Sequence, residues 1–179
     1  MKYSYKIEKE DLLDFQLYTA SKSEVLAKKR RNNRALLVAG STVFSGYFFT
    51  SYQLAMGVYF AVMVVLLVLF YYKYFAWKQK LNYSRFIQAN YSSRFGMEET
   101  LEIFMDKIHV KDNFGEGDVK TLEIDGVISI GSHFFINLAS GTSIIIPKEK
   151  IDSEAMKKDL AKLKRPFLEE LSWSWKRSM

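Results

Sequence analysis

The chain has no cysteine, only two prolines and two histidines among its 179 residues, and one long stretch with no charge at all. Without cysteine there are no disulfides, thiolate metal sites, cysteine nucleophiles or lipidated cysteines, and the redox compartment is left open. The two imidazoles, His109 and His133, have no acidic partner close in sequence. Catalysis or metal binding needs several convergent groups, so each is expected to be a solvated strand residue. Gly115-Glu116-Gly117 lacks the further glycine and the strand-to-helix context of a phosphate-binding loop and reads as a hairpin turn. Glu98 and Glu99 are neighbours, and neighbours on a strand point to opposite faces, so they form no dyad. No catalytic, cofactor-binding or metal-ligating residue is expected, and the protein is not expected to be an enzyme.

The uncharged stretch runs from Ala35 to Tyr72 and contains no Asp, Glu, Lys or Arg. As one continuous helix it would be roughly 57 Å long at ~1.5 Å per residue, whereas one bilayer core needs ~30 Å. A polar break at Thr50, Ser51, Tyr52 and Gln53 divides it into two arms, 35–49 and 54–72, which predicts a hairpin of two short transmembrane helices. Tyr47, Phe48, Phe49 and Tyr52 crowd the turn, while Tyr71, Tyr72, Tyr74, Phe75 and Trp77 crowd the exit, as interfacial aromatic belts do. The net charge of +6 is concentrated around the arms. Lys28, Lys29, Arg30, Arg31 and Arg34 precede the first arm, and Lys73, Lys78, Lys80 and Arg85 follow the second. Positive-inside counting then places both flanks, and with them both termini, in the cytosol, with a multi-pass membrane anchor between them. The apolar run begins far from Met1, unlike a cleaved signal peptide. The absence of acids and bases inside the arms argues against a pump or coupled transporter.

Two features near the membrane are candidate contact sites. Lys28, Lys29, Arg30, Arg31 and Arg34 can meet anionic lipid headgroups at roughly 1 kcal/mol each, and nucleic acid is the weaker alternative. Trp173, Trp175, Lys176 and Arg177 form an aromatic-basic tail, with Leu168, Leu171 and Trp175 on one face if the segment is helical. Such a face either lies along lipid or covers the domain. Small residues recur at spacings of four: Ser41 with Ser45, Thr42 with Gly46, Gly57 with Ala61. They allow close helix approach, within the hairpin or between two copies of the chain.

On the N-terminal side, Tyr3, Tyr5 and Ile7 alternate with polar residues, which predicts a short strand in need of a partner elsewhere. A helix is expected over 11–20 on the spacing of Leu13, Leu17 and Ala20, and Ser21 with Glu24 forms a capping box for a second helix. After Trp77, a connecting helix over 81–91 leads to short strands. Leu101, Ile103 and Met105 alternate with polar neighbours, as do Ile108 with Val110 and Ile128 with Ile130. Phe134, Ile136 and Leu138, then Ser140-Gly141, then Ile144, Ile146 and Pro147 predict a hairpin with one buried face. Asp125-Gly126 marks a further turn. Met156, Leu160, Leu163 and Phe167 follow a helical spacing that Pro166 should end or kink. The expected fold is thus a membrane α-helical hairpin joined to a cytosolic α+β domain, pleckstrin-homology-like, an antiparallel sheet closed by a C-terminal helix. Its parts are 1–34 as N-terminal strand and basic helix, 35–77 as hairpin, and 78–179 as the domain.

This layout, with Asp14-Phe15-Gln16-Leu17-Tyr18 before the basic cluster and Ile144-Ile145-Ile146-Pro147-Lys148 near the end, resembles the YcxB-like family of small bacterial membrane proteins. The family pattern often carries a tryptophan where Thr121-Leu122-Glu123-Ile124 stands here. The resemblance covers nearly the whole chain and implies a paired membrane hairpin with a cytosolic domain similar to bacterial pleckstrin-homology folds, with no activity or catalytic residues attached. The function expected from the residues is a membrane-anchored, non-enzymatic adaptor or scaffold that binds a protein partner or a second copy of itself at the inner leaflet. The alternative is a protein that senses anionic lipid or organises the membrane. Membrane lipids are partners in both readings.

Overall fold

A computed structural model describes residues 1–113 and 115–178. Within these residues, eight strands and five α-helices follow one another as β1 (Lys2–Lys6), α1 (Lys9–Lys22), α2 (Glu24–Thr50), α3 (Leu54–Tyr91), β2 (Glu98–Ile103), β3 (Lys107–Asp112), β4 (Gly115–Lys120), β5 (Ile124–Ile130), β6 (His133–Leu138), β7 (Ser143–Pro147), α4 (Ser153–Ala161), β8 (Phe167–Glu170) and α5 (Trp175–Ser178). They divide into a β-rich unit, Met1–Gln16 with Tyr83–Ser174, and a helical unit, Leu17–Asn82 with Trp175–Met179.

The β-rich unit holds two four-stranded sheets, ordered β1-β2-β3-β4 and β7-β6-β5-β8. The N-terminal strand finds its partner in β2, with Tyr3 opposite Leu101 and Tyr5 opposite Glu99. All neighbouring strands are antiparallel except β5 and β8, which run parallel. Leu101, Ile108, Ile124, Ile130, Phe134, Ile136, Ile146, Met156 and Leu160 are almost wholly buried and form the core. Helix α4 starts where the Asp152 carboxylate accepts from the backbone N–H groups of Glu154 and Ala155, satisfying donors that a first turn leaves unpaired. It presents Met156 and Leu160 inward, together with Asp159, whose Oδ2 accepts from the Tyr3 hydroxyl at 2.9 Å. Burial and that neighbouring carboxylate push the Tyr3 pKa up to about 12.

The hairpin over 133–147 forms as expected, with Phe134 opposite Ile146 and Ile136 opposite Ile144. Its burial is not one-sided. Phe135 and Ile145, on the opposite face, are also buried, while Ile144 is only partly so. Phe15 of α1 packs edge-on against Phe135 at 5.2 Å between centroids, so the helix that precedes the apolar run covers the second face. Alternation in the sequence could not anticipate this, because a strand covered on both faces loses its period of two.

Several expected turns are absent. Gly115 and Gly117 lie within β4, and Asp125-Gly126 lies within β5 at a shift in register. Gly126 allows a close approach there, since a Cβ would sit 3.2 Å from the Pro166 carbonyl oxygen, the same oxygen that accepts from the Val127 N–H at 2.8 Å. Met105 falls beyond β2 and is exposed, and residues 121–123 form a 3₁₀ turn rather than a strand. Ile130 is buried as expected, but Ile128 is only half-buried while its neighbours Val127 and Ser129 are buried. Helix α4 ends at Ala161, not near Phe167. Lys164 takes a left-handed φ of 51°, Pro166 cannot donate a helical hydrogen bond, and Phe167 enters β8 beside Val127. Leu168 and Leu171 therefore share no helix with Trp175; only Trp175–Ser178 is helical in the tail.

In the helical unit, α1 ends as the Ser21 hydroxyl donates to the Tyr18 carbonyl at 2.6 Å. The cap of α2 is Ser23 instead of Ser21, its Oγ accepting from the Leu26 N–H. The chain reverses at 51–53 and continues as α3, which runs without interruption through the segment expected as a separate connecting helix. Among the described residues, one helix, α3, is long and apolar enough to cross a membrane. Ser45 is buried and donates to the Gly57 carbonyl at 3.0 Å. The Phe49 ring lies where a Cβ at Gly57 would be, at 2.9 Å, and Phe44 and Phe48 stack on Phe60. The two helices are thus joined by small-residue contact and aromatic packing near the turn.

Replacing Ile136, which is fully buried, with aspartate strands an unpaired carboxylate in the core, and is expected to destabilise the β-rich unit by about 3 kcal/mol or more. Denaturant unfolding of the full chain, followed by circular dichroism, measures the loss. An unchanged midpoint would contradict the packing described.

Candidate lipid-facing and polar sites

The basic residues ahead of the apolar run all lie on α2, but they do different things. Arg34 reaches across to α3, where its Nη1 donates to the Tyr72 hydroxyl at 2.9 Å and its Nη2 to the Val68 carbonyl at 3.3 Å. Its guanidinium lies over the Tyr72 ring at 4.7 Å, and that of Arg30 at 5.5 Å. Such contacts are worth about 0.5–1 kcal/mol each when exposed. Tyr72 is consequently the hub of the basic cluster. Lys28, Arg30 and Arg31 line a groove of about 450 Å³ with Glu24, Ala27 and Tyr72. Lys29 lines a separate groove of about 480 Å³ that includes Asn33, Leu36, Tyr74, Phe75 and Lys78.

The tail residues fall in both units. Trp173 belongs to the β-rich unit, in the turn after β8, where its N–H donates to the Glu170 carbonyl. Trp175 and Lys176 belong to the helical unit. Trp175 is buried, and its indole Nε1 donates to the Ala76 carbonyl of α3 at 3.0 Å. Arg177 is exposed on α5. Trp175 and Lys176 form a groove of about 470 Å³ with Tyr72, Lys73, Ala76, Trp77 and Lys80. The α3 members share one helical face, as their spacings of three and four require. That spacing was legible in the sequence as Lys73, Trp77 and Lys80. The docking of Trp175 onto it was not, because residues a hundred positions apart carry no local signal.

Of the small residues, Ser45 and Gly57 meet inside the hairpin. Ser41 and Ala61 are half-buried, while Gly46 is exposed with open space where a Cβ would be.

A second polar cluster lies wholly in the β-rich unit, and the sequence did not suggest it. His133 is buried rather than solvated. Its Nε2 lies 2.9 Å from Asp11 Oδ1 and its Nδ1 2.7 Å from the Ser132 hydroxyl, which in turn is 3.3 Å from Asp14 Oδ2. Asp11 Oδ2 accepts from the Glu8 N–H at 2.8 Å and from Lys150 Nζ at 3.0 Å. Burial raises the Asp11 pKa, but hydrogen bonds from His133, the Glu8 amide and Lys150 outweigh it, so the carboxyl sits below the usual range. Asp11 fixes α1 against β6 and, through Lys150, against the segment after β7. His109 is partly exposed and pairs with Asp118 across β3 and β4 at 2.7 Å. Among the described residues no group of three metal-ligating side chains is found.

Compared with known family models, curated proteins and solved structures, the chain matches none. Its class is therefore defined by its own architecture: an α+β unit of largely antiparallel sheets together with a helical unit containing one long apolar helix.

Removing the imidazole with His133→Ala leaves a buried carboxylate short of one donor, and a loss of roughly 1–3 kcal/mol is expected in urea unfolding. A carboxyl depressed in the folded state stabilises above its unfolded pKa of about 3.9, and that stability is lost as pH falls through the folded pKa. Asp11→Asn should reduce stability near neutral pH and flatten part of its decline below about pH 4. A variant retaining the wild-type acid limb would show that Asp11 is not a contributor.

Proposed function

We propose that this chain is a membrane-anchored, non-enzymatic interaction protein of the bacterial cytoplasmic membrane. In this reading the apolar part of α2 and α3 cross the bilayer together as a hairpin. Both termini are cytosolic, and the β-rich unit works at the inner leaflet as a pleckstrin-homology-like module. The observation that carries it is the asymmetry of the helical pair. One end bears Lys28, Arg30, Arg34, Lys73, Lys78 and Lys80 with Tyr72, Tyr74 and Trp77, while the other turns through Thr50, Ser51, Tyr52 and Gln53 without a charge. Along α3, Val58, Val62, Val65, Leu66 and Leu69 are exposed. A soluble core helix would cover such residues; a bilayer removes them from water at ~25 cal/mol per Å². Ser45 hydrogen-bonds inside the pair, which suits a medium without water to compete.

The module reading is supported by one sheet of β1 to β4, a second of β5 to β7 and then α4, with the three helices between β1 and β2 and the parallel strand β8 as departures. Strand β4 is an edge strand exposed along nearly its whole length. Such an edge can accept an extended segment of a partner by strand addition. The similarity to the YcxB-like family, carried by the motifs over 14–18 and 144–148, points the same way. The alternative, recognition of anionic lipid, is favoured by the grooves lined with lysine and aromatic side chains.

The topology is tested in this cysteine-free chain by single cysteines. Ser51→Cys is expected to react with a membrane-impermeant thiol reagent added to intact cells, and Ser23→Cys and Ser140→Cys only after the membrane is opened. Labelling of Ser140→Cys from outside would overturn the orientation.

A further inference from the structure

We propose that the groove formed by Tyr72, Lys73, Ala76, Trp77, Lys80, Trp175 and Lys176 binds one anionic phospholipid. The inference rests on the membrane reading above and assigns a ligand to one site within it. The groove holds about 470 Å³, the scale of a small-ligand pocket. Its floor is Ala76 and the aromatic rings, and its charged members are three lysines with no carboxylate among the lining residues. None of the three lysines forms an ion pair among the described residues, and all are exposed. Their ammonium groups are therefore available to a phosphate. Lys73 lies over the Phe70 ring at 5.9 Å, while on α2 Arg30 and Arg34 lie over the Tyr72 ring and Arg34 also donates to the Tyr72 hydroxyl and the Val68 carbonyl.

Position selects a lipid over a soluble anion. Tyr72 ends the uncharged run and Lys73 is the first charge after it, so the groove begins where apolar helix gives way to basic helix. An acyl chain can continue along the aromatic floor toward the apolar residues of α3 while the phosphate stays among Lys73, Lys80 and Lys176. The wall opposite α3 is prebuilt, because the Trp175 indole is pinned to the Ala76 carbonyl. Tryptophan at headgroup depth and lysines beside an anionic head are each favourable.

The test uses the full-length protein in phosphatidylcholine nanodiscs, with Trp173→Phe so that Trp77 and Trp175, both in the groove, report. A minor fraction of acyl-brominated phosphatidylglycerol is expected to quench their emission more than the same fraction of brominated phosphatidylcholine. The variant Lys73→Gln/Lys80→Gln/Lys176→Gln should lose at least about tenfold in apparent phosphatidylglycerol affinity. Lys120→Gln/Lys158→Gln, two exposed lysines that do not line the groove, should keep the preference. Equal quenching by the two lipids in the unsubstituted protein would overturn the site, as would a preference that survives the triple substitution with unchanged helical content. Removal of the excess quenching by glycerol 3-phosphate alone would assign the groove to a soluble phosphate and overturn the lipid. The Ser51→Cys labelling reports on the membrane reading separately, so a chain that is correctly oriented but shows no lipid preference fails only here.

Discussion

The uncharged run from Ala35 to Tyr72 constrains everything around it. Its side chains carry no charge and are mostly apolar, and helix is the conformation that satisfies the backbone hydrogen bonds within one segment. The run is broken once, at a place where Tyr52 adopts a φ of 60° and Gln53 donates to the Phe48 carbonyl. The charged end answers to the same constraint. Arg34 cannot stay beside the apolar stretch unpaired, and it turns its guanidinium onto Tyr72 and the Val68 carbonyl. The exit of α3 then presents alternating aromatics and lysines.

The β-rich unit is organised by a different device. Its core is apolar, but the attachment of α1 to the sheets runs through buried polar groups: Asp11 with His133 and Lys150. A separate buried carboxylate, Asp159, receives the Tyr3 hydroxyl and pairs with Lys162. Each carboxylate has at least two donors, which is what makes its burial tolerable. Lys148 is a counterpart of opposite charge. Burial lowers its pKa, and its ammonium donates to the Ser129 hydroxyl and the Ile130 carbonyl beside the Phe134 ring. These contacts join segments far apart in sequence, so the N-terminal segment is part of the unit's structure and not an appendage.

Local pattern was sufficient for much of this protein. The break at 50–53, the helical character of the segments on either side of it, the strands β1, β2, β3, β6 and β7 and the start of α4 follow from charge-free length, alternation and helical spacing, which are properties of neighbouring residues. The aromatic and basic character of the helix ends was equally plain, as was the opportunity for close packing at Ser45 and Gly57.

Tertiary structure decided what neighbours could not. It placed Gly126 beside the Pro166 carbonyl, converting an apparent turn into a strand irregularity, and drew Phe167 out of a helical spacing into a strand alongside β5. It buried His133, which looked solvated because its acidic partner Asp11 lies on another element, and it covered both faces of β6 where one was expected. It also separated Trp173 from Trp175 and docked the latter on Ala76. The physical reason is common to all of these. Helix and strand periodicity record which side of a segment is apolar, whereas pairing across the chain depends on hydrogen-bond partners and packing surfaces that exist only once distant segments have been brought together.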